Sequence, residues 1–156
     1  MRIIPFETTY TKELQTMMQL LRDYIVSLDF WEDDMITIDV SKNIKSIIQS
    51  FENKKLLIYL ALENQKVIGF VLGKVKNESD EGSKIKKIGS IGQLYVFPEY
   101  QKMGVGRHLI KSIEQECKKQ GATHMVVGVF AGNPQALGFY EKYGFEKRLI
   151  TLGKKI

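Results

Sequence analysis

Gln93-Leu94-Tyr95-Val96-Phe97-Pro98-Glu99-Tyr100-Gln101-Lys102-Met103-Gly104-Val105-Gly106-Arg107 is the run from which the rest of the chain can be read. Leu94 to Phe97 is an apolar, strand-forming segment, and Pro98 ends it because proline cannot donate to a ladder. A short polar loop follows, and Gly104-Val105-Gly106 opens a segment with helical periodicity. Strand, loop, glycine turn and helix start together make an anion site. The unpaired N–H groups of a first helical turn point outward, and the helix dipole favours negative charge there. Glycine lets the backbone approach a ligand closely. A phosphate or pyrophosphate is the expected ligand.

The chain of 156 residues has the size of one domain, 1–156. With 44% hydrophobic and 26% charged residues it reads as an ordinary globular protein. The net charge of +5 comes from lysines scattered along the whole length. Nucleic-acid binders cluster their basic residues on one face, so solvated lysine is the simpler reading and a nucleic-acid partner is not expected. Cys117 is the single cysteine, which excludes an internal disulfide and suits a reducing cytoplasm. Met1 to Glu7 lacks the apolar core of a signal peptide. The longest apolar run, Leu56 to Leu62, is far short of the ~20 residues that span a bilayer. The expected setting is the cytoplasm, with no membrane partner.

Taken in order, Arg2-Ile3-Ile4 suits a short first strand. From Thr11, apolar residues at Leu14, Met17, Met18, Leu21, Ile25 and Leu28 predict a helix with one buried face. Phe30-Trp31-Glu32-Asp33-Asp34 then brings the only Trp and a tight acidic cluster. A second helix is predicted over Val40 to Phe51, with Ile44, Ile47, Ile48 and Phe51 inward. Leu56 to Leu62 and the run from Val67 flank a turn at Glu63 to Lys66, so they form a hairpin. Asn77 to Lys84 is a polar connector, and Ile88 to Phe97 is the next antiparallel strand. After Gly106, Leu109, Ile110, Ile113 and Cys117 mark a helix that ends at Gly121. His124 to Phe130 is a continuous apolar strand. Asn133-Pro134 caps a helix that runs to Tyr143, Gly144 ends it, and Phe145 to Leu152 is a last strand. The order β-α-α-β-β-β-α-β-α-β is an α+β fold, with a mixed, mostly antiparallel sheet flanked by helices.

Other motifs fail on spacing. Gly104-x-Gly106 is only part of a dinucleotide fingerprint, since Leu109 stands where its third glycine belongs. No GKS or GKT sequence exists, no Cys/His cluster suggests zinc, and no serine sits in a nucleophile elbow. No metal is expected.

Gln101-Lys102-Met103-Gly104-Val105-Gly106 resembles the (Q/R)-x-x-G-x-(G/A) signature of the GNAT superfamily of acyl-CoA-dependent N-acyltransferases. Leu94-Tyr95-Val96 and Pro98 precede it at that family's spacing. Asn133, Ala136, Phe139-Tyr140 and Gly144-Phe145 follow the pattern of its second motif. The resemblance implies acetyl-CoA as cosubstrate, with its pyrophosphate on the main-chain N–H groups from Lys102 to Arg107. It implies that the strand at Leu94-Tyr95-Val96 splays from its parallel neighbour and that the pantetheine arm enters the gap. It assigns a main-chain N–H near Val96 to the thioester carbonyl, Asn133 to the pantetheine arm, and Tyr140, beside Phe139, to protonation of the leaving thiolate. The chain departs from the family at Gln93, where many members carry a glutamate that deprotonates the amine; an amide has no useful basicity.

The function expected from the resemblance is transfer of acetyl to a primary amine by direct attack in a ternary complex. Trp31 and the carboxylates of Glu32, Asp33 and Asp34, with Gln93, are the expected acceptor contacts, and three carboxylates favour a cationic acceptor. The resemblance also admits a homodimer. The rival reading is a non-catalytic acyl-CoA-binding regulatory module, against which the retained Tyr140 speaks.

Overall fold

The computed structural model describes residues 1–29, 39–78 and 82–156. The expected acceptor contacts Trp31, Glu32, Asp33 and Asp34 therefore lie outside the described residues, as does the middle of the polar connector, residues 79–81. Strand β1 (Arg2–Pro5) leads into helix α1 (Thr11–Val26), whose Leu14, Met17, Met18 and Leu21 are buried as their spacing predicts. Helix α2 (Ile44–Glu52) starts later than its apolar pattern suggests. The Asp39 carboxylate accepts from the Ser41 N–H at 2.8 Å and winds Val40–Lys42 into a separate 3-10 turn.

Strands β2 (Leu57–Glu63) and β3 (Lys66–Asn77) form the expected hairpin, with Glu63 opposite Lys66. Its two turn residues, Asn64 and Gln65, both have positive φ (48° and 65°), the twist that matches a two-residue hairpin. Strand β4 (Lys87–Val96) continues the antiparallel sheet, and β5 (His124–Val127) joins β4 in parallel after helix α3 (Val105–Lys119). Helix α4 (Pro134–Tyr143) follows. The five strands lie in the order β1-β2-β3-β4-β5.

Two apolar layers cover the sheet. Leu14, Met17, Met18 and Leu21 of α1 and Ile44 of α2 pack on one face with Leu60 and Phe70. Leu109, Ile110, Ile113 and Cys117 of α3 pack on the other with Val71 and Ile91, and Tyr140 of α4 joins them. Cys117 is thus a core residue. No helix among the described residues is long and apolar enough to cross a membrane.

Two expectations about strands are corrected. The strand read over His124 to Phe130 ends at Val127, because its partner β4 is paired with it only from Ile88 to Ile91. The last strand read over Phe145 to Leu152 does not form: these residues have no ladder partner among the described residues, and Leu149, Ile150 and Leu152 are exposed. The alternation that predicts a strand gives it no neighbour.

Candidate active site

Pairing along β4 changes at Gly92. Leu72 pairs with Gln93 but Gly73 pairs with Ile91, so Gly92 is an extra residue and the strand bulges there. A bulge bends its strand and increases the twist. The parallel ladder to β5 stops at Ile91 opposite Val127, one residue before that bulge. From Gln93 to Val96, β4 is therefore paired on one edge only, to β3. The Phe97 N–H donates to the Ile68 carbonyl of β3 at 3.1 Å. N–H groups alternate along a strand, so those of Val96 and Leu94 face the opposite way, into the gap left by β5. Beyond Ile91 this edge of β4 has no partner among the described residues, and main-chain donors lie along it.

The loop after β4 brings the anion cradle to the mouth of that gap. Pro98–Tyr100 forms a 3-10 turn, Lys102 has φ of +62°, and Gly104 with φ of +83° is the N-cap of α3. A left-handed residue here is strained for any side chain but glycine. No side chain caps α3. The first intrahelical bond runs from His108 N–H to Gly104 carbonyl, at 3.2 Å. The N–H groups of Val105, Gly106 and Arg107 in that first turn therefore have no intrahelical acceptor. Met103 is exposed beside them. A polyphosphate fits this set of donors.

Gly106 serves a second purpose that its motif position does not reveal. A Cβ built on it lies 3.1 Å from the Phe139 ring, so the bare backbone also lets α4 approach α3. Gln101 is exposed, and its side-chain amide donates to the Val96 carbonyl at 3.0 Å and accepts from Gln135 at 3.3 Å. Gln135, on α4, carries no motif signal. Through Gln101 it ties α4 to the end of β4 across the mouth of the gap.

The two faces of β4 hold different chemistry. Leu94 and Val96 join the α3/α4 layer with Phe139 and Tyr140, whereas Tyr95 and Phe97 join the α1/α2 layer. Tyr140 is 7% exposed, and burial pushes its phenol up to about 12. Its ring meets Phe139 and Phe145 edge-on at 5.2 and 5.5 Å. Asn133 caps α4, its side-chain oxygen accepting from the Ala136 N–H at 3.0 Å, which leaves its NH₂ group as a donor. Gly144 ends the helix in the left-handed region.

Gln93, two residues before Tyr95, falls on the α1/α2 side by strand alternation. Its side-chain oxygen is buried and has no hydrogen-bond partner among the described residues. An orphaned buried acceptor costs about 1–3 kcal/mol, so its persistence needs a reason. Sequence reasoning picks Gln93 out as a lost carboxylate; only the structure shows its oxygen unpaired. Among the described residues no cluster of three or more His, Cys, Asp or Glu could hold a metal ion.

A family model described as the acetyltransferase (GNAT) family matches residues 14–145. N-alpha-acetyltransferase 30 of Schizosaccharomyces pombe is 30% identical over 87 residues, covering 56% of this chain and 55% of its own length. The chain thus spans little more than half the length of that relative. A solved protein from Bacillus halodurans shares the fold with a TM-score of 0.88 at 15% identity, over 100% of this chain and 99% of its own. An aminoglycoside N-acetyltransferase in complex with CoA superposes with a TM-score of 0.72 at 17% identity, over 99% of this chain and 100% of its own.

Proposed function

The chain belongs to the acetyltransferase (GNAT) family, and from that premise we propose that residues 1–156 form one N-acetyltransferase domain, which transfers acetyl from acetyl-CoA to a primary amine. The observation that carries this reading is the one-sided pairing of Gln93 to Val96, which leaves main-chain donors on an open edge of β4 beside an uncapped helix N-terminus. When bound, acetyl-CoA supplies an acyl group activated as a thioester.

Under this reading each role is assigned to a residue of the site described above. Leu94 and Val96 offer strand backbone to the pantetheine arm, whereas the main-chain groups of Tyr95 between them face β3, and the Asn133 NH₂ group reaches the arm from α4. Lys102, Met103, Gly104, Val105, Gly106 and Arg107 hold the pyrophosphate on main-chain N–H groups, with Gln101 bracing the strand end through the Val96 carbonyl. The Val96 N–H donates to the carbonyl oxygen of the thioester as charge develops there; one preorganised donor of this kind is typically worth 10²–10³ in rate. Tyr140, packed beside Phe139, holds a proton at its phenol oxygen for the leaving sulfur. Gln93 accepts a hydrogen bond from the incoming amine and orients its lone pair, but cannot take its proton.

Direct attack in a ternary complex is favoured over an acetylated enzyme. The sole cysteine, Cys117, is 1% exposed, and burial pushes its thiol up to about 11, with Glu116 and Glu114 adding to the effect. A thiol held protonated in the core is a poor nucleophile. For the acceptor, an amino group of a cationic small molecule or a peptide is the class we favour. The names of the similar proteins include an N-alpha-acetyltransferase and an aminoglycoside N-acetyltransferase, both acting on nitrogen. Trp31, Glu32, Asp33 and Asp34 would meet the acceptor's positive charge.

The decisive experiment measures thiol release from acetyl-CoA over a panel of polyamines, amino sugars and peptide N-termini, beside calorimetric binding of acetyl-CoA. Amine-dependent release establishes the enzyme. Binding without release on any amine leaves a regulatory acyl-CoA module, and absence of binding removes the whole reading.

A further inference from the structure

Cross-strand pairs stand in a row on the α1/α2 face of the sheet: Phe70 opposite Tyr95, Leu72 opposite Gln93, and Lys74 opposite Ser90. Alternation fixes that face. Phe70, Leu72 and Tyr95 pack in the α1/α2 layer, whereas a Cβ built on Gly73 or Gly89 would meet Ile113 or Cys117 of α3. Exposure rises along the row, from Phe70, which is buried, through half-buried Leu72 to exposed Lys74. A cleft of about 180 Å³ lies at this end, lined by Leu56, Leu72, Gly73, Lys74, Ser90 and Gly92. Gly92 is the bulge residue, so the cleft adjoins the point at which β4 parts from β5. The next residue is Gln93, whose buried oxygen has no partner among the described residues.

We propose that this cleft holds the far end of the acceptor, and that Lys74, with the Ser90 hydroxyl, selects a small amino acid, an amine that also carries a carboxylate. The inference rests on the transferase reading above and names its substrate class. The two ends of the cleft differ in chemistry. At one end the Gln93 oxygen takes a hydrogen bond from the incoming amine. At the other stand a cation and a hydroxyl, and Lys74 has no ion-pair partner among the described residues. Between them lie the Leu56 and Leu72 side chains and the bare backbone of Gly73 and Gly92, which suits a short methylene chain. Same-face positions recur every ~6.5 Å along a strand, so an amine at Gln93 and an acid group at Lys74 sit a few carbon atoms apart on one ligand. The volume agrees: about 180 Å³ is below the roughly 300–1,000 Å³ of pockets for drug-sized ligands, and is enough for a molecule of amino-acid size. The acceptor is then positive at its amine and negative at its other end. Its nitrogen bonds the acetyl carbon as the carbon–sulfur bond breaks, losing one proton while the sulfur gains one. The carboxylate at Lys74 is held and does not react. Such specificity is a difference of affinities, since a neutral amide in place of the acid forfeits the pair with Lys74.

The test compares acceptors that differ only in that charge: β-alanine, 4-aminobutyrate and 5-aminopentanoate, each beside its primary amide, assayed by thiol release from acetyl-CoA. The readout is the ratio of kcat/KM for acid over amide. Its change between wild type and variant cancels the difference in amine pKa within a pair. The ratio is expected to fall about 10-fold in Lys74→Met, which keeps an apolar stem, and about 100-fold in Lys74→Glu, where repulsion replaces attraction. Added salt should lower the wild-type ratio and leave that of Lys74→Met level. Calorimetry of 4-aminobutyrate against the protein with CoA bound should give the same order of affinities without turnover. Lys74 is exposed, so both variants are expected to fold. A ratio unchanged in Lys74→Glu overturns the inference and leaves the transferase reading standing. Turnover of other amines but of none in these series does the same. No turnover of any amine removes the transferase reading, and this inference with it.

Discussion

Replacing Tyr140 by phenylalanine tests the chemistry at the gap most directly, because only one oxygen is removed. The phenol is 7% exposed and its proton is held up to about pH 12. A thiol such as that leaving the acetyl group resembles cysteine, with an ordinary pKa near 8.5. Complete transfer of the proton to a free thiolate is then uphill by about 3.5 pH units, or roughly 5 kcal/mol at 1.36 kcal/mol per unit. Tyr140 is better suited to donating a hydrogen bond to sulfur as negative charge builds, with full transfer following once solvent can rebalance the proton. A hydrogen bond to a charged group is worth about 1.5–3 kcal/mol, so Tyr140→Phe is expected to lower kcat roughly 10- to 150-fold. The apparent KM for acetyl-CoA and its calorimetric affinity should barely move, since the bond strengthens only toward the transition state. Because the phenol stays neutral below about pH 12, wild-type kcat should show no falling limb near pH 10. Steady-state thiol release between pH 6.5 and 10.5 measures both effects. Full kcat in the variant refutes the role of Tyr140. A wild-type limb near pH 10 that vanishes in the variant refutes its elevated pKa.

Further expectations concern the acceptor, the cradle and stability. An aliphatic amine with pKa near 10.4 is mostly protonated at pH 7, and Gln93 cannot relieve it of the proton; kcat/KM should rise across pH 7–9 along a limb set by the amine's own pKa. Gln93→Glu should raise activity at the lower end of that range, and a wild-type limb at one fixed pKa for two different amines would point to an enzyme base instead. At the cradle, Gly106→Ala brings a Cβ to 3.1 Å from Phe139 without charge, whereas Gly106→Asp adds a carboxylate as well. Calorimetry should show acetyl-CoA bound at least tenfold more weakly by the Asp form than by the Ala form, and equal affinities would remove the phosphate from this helix start. For stability, the raised folded-state pKa of Tyr140 means that the native state holds this proton more tightly than the unfolded chain. Its contribution is full below pH 10 and is lost as pH rises through 12, on the order of 2–3 kcal/mol in all. Urea unfolding at pH 9 and pH 11.5 should show that share of the alkaline loss in the wild type and not in Tyr140→Phe.

Much of the molecule is written locally. The Asn64-Gln65 turn, the Asn133-Pro134 cap and the glycines at 104, 121 and 144, all with positive φ, are fixed by the conformations that neighbouring residues allow, and the sequence shows each of them. The amphipathic faces of α1 and α3 follow in the same way from apolar spacing along a single element. Alternation likewise marks which segments are capable of being strands. Pairing is another matter, because a ladder's partner is remote in the chain and the same apolar pattern is compatible with having one or none. The resemblance implies that the two parallel strands splay, but only the tertiary structure shows that β5 loses β4 at Ile91, beside the bulge at Gly92. It alone shows the Gln93 oxygen buried without a partner among the described residues, Gly106 pressed against Phe139, and Gln101 spent on the Val96 carbonyl. The strand pattern of Phe145 to Leu152 is the clearest case. Its residues determine that it can extend, but an extended backbone becomes a strand only where a second one lies beside it, and none does among the described residues.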